Sequence, residues 1–293
     1  MTAYDDFDAE ADAASGASAE VGDASVPGVP ERVAKWIARA GICSRREAER
    51  LIAQGRVSLD GAPVDGPAVS VDDPTRLAVD GTSLPAPAPT RLFRYAKPRD
   101  LLVAERDTGG RATIYDQLPA WLPRVMPVGR LDLASEGLLL LTTDGALKRH
   151  LELPATGWLR RYRVRVYGDV TEKTLAALAD GITVDGVQYG GIKATLEQRT
   201  GANAWLNVSL REGKNREVRR VMAHLGLQVN RLVRVAYGPF QLGNMRPGQV
   251  SEVPGKVLNE QLGLPRDSGD GTGVAKPRAR KGKARHAHRR RES

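Results

Sequence analysis

Cysteine and histidine are scarce in this chain: one cysteine, Cys43, and four histidines among 293 residues, two of the histidines being His286 and His288 close to the C-terminus. So few ligands exclude a disulfide framework and a Cys/His zinc site of the usual ligand count, and they suit a reducing, cytosolic setting. No apolar run approaches the ~20 residues needed to cross a bilayer, and the N-terminus is acidic where a secretory signal is basic. Secretion and membrane insertion are therefore not expected. Several catalytic signatures are also missing: there is no G-x-S-x-G around Ser135, no P-loop, and no G-x-G-x-x-G following a strand. Acyl transfer, NTP hydrolysis and dinucleotide chemistry thus lack support. His150 and His224 have no identifiable orienting partner, so in an enzyme of this composition a carboxylate is the natural nucleophile or base.

Positive charge is what the sequence does have. The net charge is +9, but residues 1–30 carry seven acids and no base, while residues 276–293 carry nine bases and one acid. The termini nearly cancel, so the body between them is itself basic and suits a polyanionic partner. Residues 1–30 hold too few large apolar side chains to offset the entropy of ordering and are expected to be disordered. The tail over 265–293, rich in Arg and Lys between Ala, Gly and Pro, is read the same way, as a segment attracting phosphate without specificity. SLPAPAPT at 83–90 reads as an extended linker. It separates a small unit, 31–82, from a larger one, 91–264.

In the small unit Val33, Trp36, Ile37 and Ala40 fall at helical intervals, with Gly41 at the C-cap position. Ser44 and Glu47 have capping-box spacing for a second helix that runs to about Gln54 and buries Ala48, Leu51 and Ile52. Arg45, Arg46 and Arg50 are left on its outer surface, and Asp60-Gly61 signals a hairpin turn. Cys43 reads as a core thiol. A run of arginines on a helix is commonly just a solvated face, so charge alone does not make this unit a binding module.

The large unit holds VGRLDLASEGLLLLTTDGAL at 128–147. Leu138–Leu141 suits a buried strand, with Thr142-Thr143-Asp144-Gly145 as a hairpin turn after it. The loop before it contains Arg130, Asp132, Ser135 and Glu136, which serve either turn chemistry or an active site. In LRRYRVRVYG, 159–168, strict alternation puts Tyr162, Val164 and Val166 on one face and Arg161, Arg163 and Arg165 on the other. Tyr162 is then either a core tyrosine or a platform for a base. In GKNREVRRVMAHLG, 213–226, Val218, Val221, Met222 and Leu225 form the buried stripe of a helix. At 100° per residue Arg219 flanks that stripe and can pair with a carboxylate, whereas Arg216 and Arg220 point away.

The stretch ERVAKWIARAGICSRREAERLIAQGRVSLDGAPV closely resembles the S4-type RNA-binding domain. GRLDLASEGLLLLTTDG, the RRYRVRV strand, the EGKNREVRRVMAHLG helix with LVRVAYGPFQLGNMRPGQ after it, and KPRD at 97–100 resemble the motifs of the ribosomal small-subunit/large-subunit pseudouridine synthase family. Together the match spans about 31–262. The resemblance implies an α+β architecture: a small S4-type domain followed by a mixed α/β catalytic domain with a largely antiparallel sheet. It implies Asp132 as the catalytic aspartate, Tyr162 as the tyrosine that stacks on the target base, and Arg219 as the basic partner of Asp132. Lys35, Arg45, Arg46, Arg50 and Arg56 in the small unit, and Arg130, Lys214 and Arg216 in the large one, are implied RNA contacts. Arg160 stands two residues before the tyrosine, where the family often has Lys, and because the two differ in donor geometry it receives no catalytic role.

The implied reaction exchanges the N1–C1′ bond of uridine for C5–C1′, with carboxylate attack at C1′ or C6, and it requires neither cofactor nor metal. The nucleotide must leave the stack at a cost of a few kcal/mol, of which an aromatic platform returns ~1–3 kcal/mol. The implied partner is ribosomal RNA, 23S in preference to 16S, either naked or in an assembly intermediate; a cytoplasmic monomer without membrane contact is expected. A non-catalytic ribosome-assembly protein and a nucleoside glycosidase, which would need a second carboxylate, are the rival readings. With a basic body and a basic tail, RNA affinity should fall steeply with salt, on the order of a hundredfold or more between 50 and 200 mM, as read in a binding titration.

Overall fold

The computed structural model describes residues 30–86 and 89–262. The segments expected to be disordered lie outside the described residues, apart from Pro30. In the small unit the first helix spans Val33–Arg39, shorter than its apolar spacing suggests, because Glu31 and Arg32 are extended and pair with Ser70–Val71. Ser44 opens the second helix, Arg45–Ala53, by accepting the Glu47 N–H at 3.2 Å. Glu47 does not complete a reciprocal box, since its carboxylate takes the Arg50 guanidinium instead. Asp60 and Gly61 both adopt positive φ, 51° and 85°, and turn Val57–Leu59 into Ala62–Pro63, as a two-residue hairpin requires. The helices bury Val33, Trp36, Ile37, Leu51 and Ile52 against Val57, Leu77 and Val79, and Cys43 packs half-buried at the edge of this cluster. Ser83, placed in the linker from composition, ends the Thr82–Ser83 strand instead, and the next amide, of Leu84, bonds to Leu77 O at 3.1 Å. Backbone pairing outweighs the composition signal there, and the proline-rich connection begins only after it.

The large unit is organised on one nine-stranded sheet. Its main path runs Ile192–Thr200, Asn203–Leu210, Arg160–Tyr167, Gln228–Tyr237, Glu136–Thr142, Leu92–Lys97 and Val250–Glu252. Every pairing is antiparallel except that of Gln228–Tyr237 with Glu136–Thr142. Glu136–Thr142 is buried from end to end: Leu138 and Leu140 face one cluster with Leu92 and Val128, while Leu139 and Leu141 face another with Phe93, Tyr95 and Ile114. A strand covered on both faces needs no polar alternation, which explains the unbroken leucine run. The expected hairpin turn after it is a helix start instead. Asp144 accepts the amides of Ala146 and Leu147 at 2.6 and 3.0 Å and caps Gly145–Glu152. An Asp-Gly pair serves either role, and Leu147 and Leu151, both buried four residues apart, supply the stripe that makes it a helix.

On the far half of the sheet Val164 and Val166 point inward and meet Val218, Val221 and Met222 of the Glu217–His224 helix. Where the parallel pair meets, Gly137 (φ 101°) lies opposite Arg234, and a Cβ at Gly137 would collide with the Arg234 carbonyl oxygen and come within 2.8 Å of its nitrogen. Gly137 is thus required both for its backbone angle and for the close approach of the two halves of the sheet. Gly137→Ala should lower stability by about 2–4 kcal/mol, seen as a lower denaturation midpoint in urea with unchanged slope.

Candidate active site

Asp132 sits in the short loop that leads into the buried Glu136–Thr142 strand, and the loop is held by its carbonyls. The Lys97 side chain, only 1% exposed, reaches the carbonyl oxygens of Ser135 (2.9 Å), Asp132 (3.4 Å) and Leu133 (3.5 Å), and that of Pro98 (3.0 Å). Arg219 donates to the remaining carbonyl of the loop, Ala134 O, at 3.1 Å and to Val229 O at 3.2 Å. The loop closes on itself through Ser135 N to Asp132 O at 2.9 Å. Glu136, buried at its exit, takes a bidentate pair from Arg231 at 2.7 and 3.1 Å. With the backbone so held, the Asp132 carboxylate is left facing a cavity of about 570 Å³, which Tyr162, Arg130, Lys214 and Arg216 also line.

One expectation is corrected by this geometry: the guanidinium on the Asp132 carboxylate is that of Arg216, Nη1 to Oδ2 at 3.3 Å, not that of Arg219. The helical wheel misplaced Arg216 because that residue is not helical. It has φ 52° and ψ 29°, and the helix begins only at Glu217, so 100° steps cannot be counted back to it. Arg219 is partly buried as its place beside the stripe implies. Its pKa is depressed, chiefly by burial and then by the neighbouring Arg216 charge, with Asp132 acting in the opposite sense. Arg219 therefore acts on Asp132 through the backbone of its loop.

Tyr162 packs against the sheet cluster at the cavity wall, cross-strand from Arg234 and Val208. Arg160, also at the wall, is spent on the carbonyls of Trp158 and Arg211 (3.0 and 2.5 Å) and on the Tyr237 hydroxyl (3.1 Å). Lys214 is tied to Gln188 O at 2.7 Å and to Glu212 at 2.9 Å. The Glu217 carboxyl is buried beside the cavity and its pKa is raised, first by that burial.

The small-unit candidates do not line this cavity. Arg45, Arg46, Arg50 and Arg56 are exposed, and most of the set is paired locally: Lys35 with Glu31, Arg45 with Glu49, Arg50 with Glu47 and Arg56 with Asp80. Exposed pairs of this kind contribute about 0–1 kcal/mol each and give way readily to a phosphate. Among the described residues, Arg46 has no acidic partner within 4 Å.

Comparison with known proteins shows the family of the chain. Residues 91–224 match the family model of RNA pseudouridylate synthases, and residues 31–73 match that of the S4 domain. An uncharacterized RNA pseudouridine synthase of Rickettsia prowazekii is 42% identical over 231 residues, covering 79% of this chain and 97% of the relative. The chain belongs to the RNA pseudouridine synthase family. A ribosomal large subunit pseudouridine synthase B of Yersinia pestis is 39% identical, over 78% of this chain and 74% of that protein. A solved pseudouridylate synthase superposes with a TM-score of 0.55 at 27% identity, covering 79% of this chain and 99% of its own. As a pseudouridine synthase the chain is an isomerase acting on RNA, with an S4 domain ahead of a mixed α/β catalytic domain on a mostly antiparallel sheet.

Sequence reasoning left Lys97 and Arg234 without a role, although a signal was present for the first. Lys97 ends the strand Leu92–Lys97, otherwise largely apolar and buried, and a lysine is almost never fully buried unless something holds its charge. Burial lowers the Lys97 pKa to about 8, against which the nearby Asp100, Asp132 and Glu136 charges work. The neutral amine has too few donors for this set of carbonyls, so kcat/KM in the pseudouridine synthase should fall above about pH 8. Lys97→Met should cost ten- to a hundredfold in rate and flatten that limb. Global stability moves oppositely: the unfolded lysine titrates at 10.5, so its contribution grows from pH 8 to 10.5 and is lost as pH falls through 8.

Proposed function

We propose that this enzyme converts a uridine of large-subunit (23S) ribosomal RNA to pseudouridine, with Asp132 as the nucleophile and Tyr162 as the platform for the extruded base. The observation that carries the assignment is the convergence of Asp132, Tyr162 and Arg216, from three segments distant in sequence, on one cavity. The ribosomal target is supported by the identity to the Yersinia pestis protein and to large subunit synthases B of Pasteurella multocida and Haemophilus influenzae, 36% and 40% identical.

N1 is released from C1′, the base turns within the site and C5 bonds to C1′; C5 then gives up its proton and N1 takes one up, so that the net change is an isomerisation. A carboxylate suits this reaction if it is oriented toward the bound nucleotide, and the Arg216 guanidinium pairs with Asp132 Oδ2 at 3.3 Å. Asp132 remains about a third exposed, so it is not stranded in a dry interior before the RNA arrives. Arg219 and Lys97 are positioning residues that hold its loop. Arg130, Lys214 and Arg216 ring the cavity where the phosphates flanking an extruded nucleotide would pass, and Lys35, Arg45, Arg46, Arg50 and Arg56 supply a second, salt-sensitive contact from the S4 domain. The enzyme acts as a cytoplasmic monomer; among the described residues no helix is long and apolar enough to cross a membrane.

The test is a pseudouridine map of 16S and 23S rRNA from cells lacking the gene, complemented with wild type or Asp132→Ala. One 23S site should disappear and return only with wild type, and the purified variant should lose at least about a thousandfold in rate. An unchanged map would refute the ribosomal target, and full activity of Asp132→Ala would refute the nucleophile.

A further inference from the structure

Arg234 is buried at 3% exposure, yet among the described residues no carboxylate pairs with its charge. Its Nε donates to Leu138 O at 2.7 Å, and its guanidinium lies 5.1 Å from the Tyr237 ring centroid. Nη2 is buried with no acceptor, and among the described residues no carboxylate lies within 4 Å of the group. Native proteins seldom leave a buried donor in that state, least of all on an ion, unless a ligand completes it. Two further facts place it. Arg234 is the direct cross-strand neighbour of Tyr162, and both border the cavity that holds Asp132. Arg160, which the strand of Tyr162 also carries to this wall, is already satisfied by two carbonyls and a hydroxyl, whereas the buried Arg234 keeps a donor unpaired.

We infer that Arg234 is a specificity residue, donating a hydrogen bond to a carbonyl on the edge of the extruded uracil, O4 being the one that separates uracil from cytosine. The inference rests on the proposed base-extrusion reading and adds to it how the base is identified. Tyr162 covers a ring face and is indifferent to which pyrimidine it meets. A donor beside it is not indifferent, because cytosine presents an amino group where uracil presents O4, and two donors would then oppose each other in a buried site. The reaction itself favours this arrangement. Uracil is nearly symmetric about the line through N3 and C6, and turning about that line to bring C5 to C1′ exchanges O2 with O4. A donor placed for one carbonyl therefore meets the other after the turn, holding substrate and product alike, and no such exchange is open to cytosine.

The experiment uses stem-loop transcripts spanning the uridine that the wild-type enzyme modifies, carrying uridine, cytidine, 4-thiouridine or an abasic nucleotide at that position. Affinities are read by fluorescence anisotropy with the full chain in an Asp132→Asn background, so that no turnover intervenes. With Arg234 present, uridine should bind roughly tenfold or more tighter than cytidine, and 4-thiouridine, whose sulfur is a poor acceptor, should lose several-fold. Arg234→Met should bring uridine down to cytidine while leaving the abasic transcript within about twofold, an outcome that a purely structural role would not produce. Should Arg234→Met fail to fold, the 4-thiouridine transcript decides without any change to the protein. Equal binding of uridine and cytidine, a uridine preference that survives in folded Arg234→Met, or 4-thiouridine binding as tightly as uridine would each overturn the inference. Failure of the wild-type enzyme to form pseudouridine in the transcript would overturn the reading beneath it instead.

Discussion

The site depends on a loop of four residues whose backbone carbonyls are held by a buried lysine and a half-buried arginine. Lys97 and Arg219 between them take the carbonyls of Asp132, Leu133, Ala134 and Ser135, and neither touches the Asp132 carboxylate. A side chain serving as nucleophile must be oriented and yet open to its target. Gripping the loop through its main chain meets both needs, because the carboxylate is fixed by the backbone below it and remains open to the cavity. The cost falls on Lys97, whose burial lowers its affinity for the proton it needs.

That loop is in turn fixed by the sheet. Lys97 ends one strand, Asp132 precedes the strand that pairs with it, and Arg234 comes from the strand on the other side of that second one, paired in parallel at Gly137. The close approach at Gly137 brings together Tyr162, carried by the strand beside Arg234, and the Asp132 loop. Electrostatics divides along the same lines. Around the cavity the cations exceed the carboxylates, whereas on the S4 domain most of them are paired with acids on the surface. Unpaired cations around a cavity can meet a specific ligand, whereas exposed surface pairs contribute little and exchange partners readily.

Much of this was legible in the residues. The Ser44 cap, the Asp60-Gly61 turn, the alternation over 160–167 and the apolar stripe of the Glu217–His224 helix depend on neighbours a few positions apart, and they appear as read. The misreadings have a common cause. Asp144-Gly145 suits a turn or a helix cap equally, and only the burial of Leu147 and Leu151 chose between them. Arg216 was placed by a helical period that had not yet begun, since its own φ is positive. Lys97 and Arg234 drew no assignment because a single cation in an apolar strand says nothing about which carbonyls, or which absent partner, will face it.

By itself the sequence determined the order of domains and most of the local elements, and its motifs singled out Asp132, Tyr162 and the basic helix as candidates. The elements follow from local spacing, capping and charge, which act over one or two turns of chain; the candidate residues follow only from the resemblance of their motifs to a family. The tertiary structure alone decided which arginine meets Asp132, that a buried lysine holds its loop, and that a guanidinium next to Tyr162 has a donor to spare. Those contacts join residues from 35 to 96 positions apart in the chain, and hydrogen-bond partnership at that range is set by how the sheet is assembled rather than by any residue's own preference.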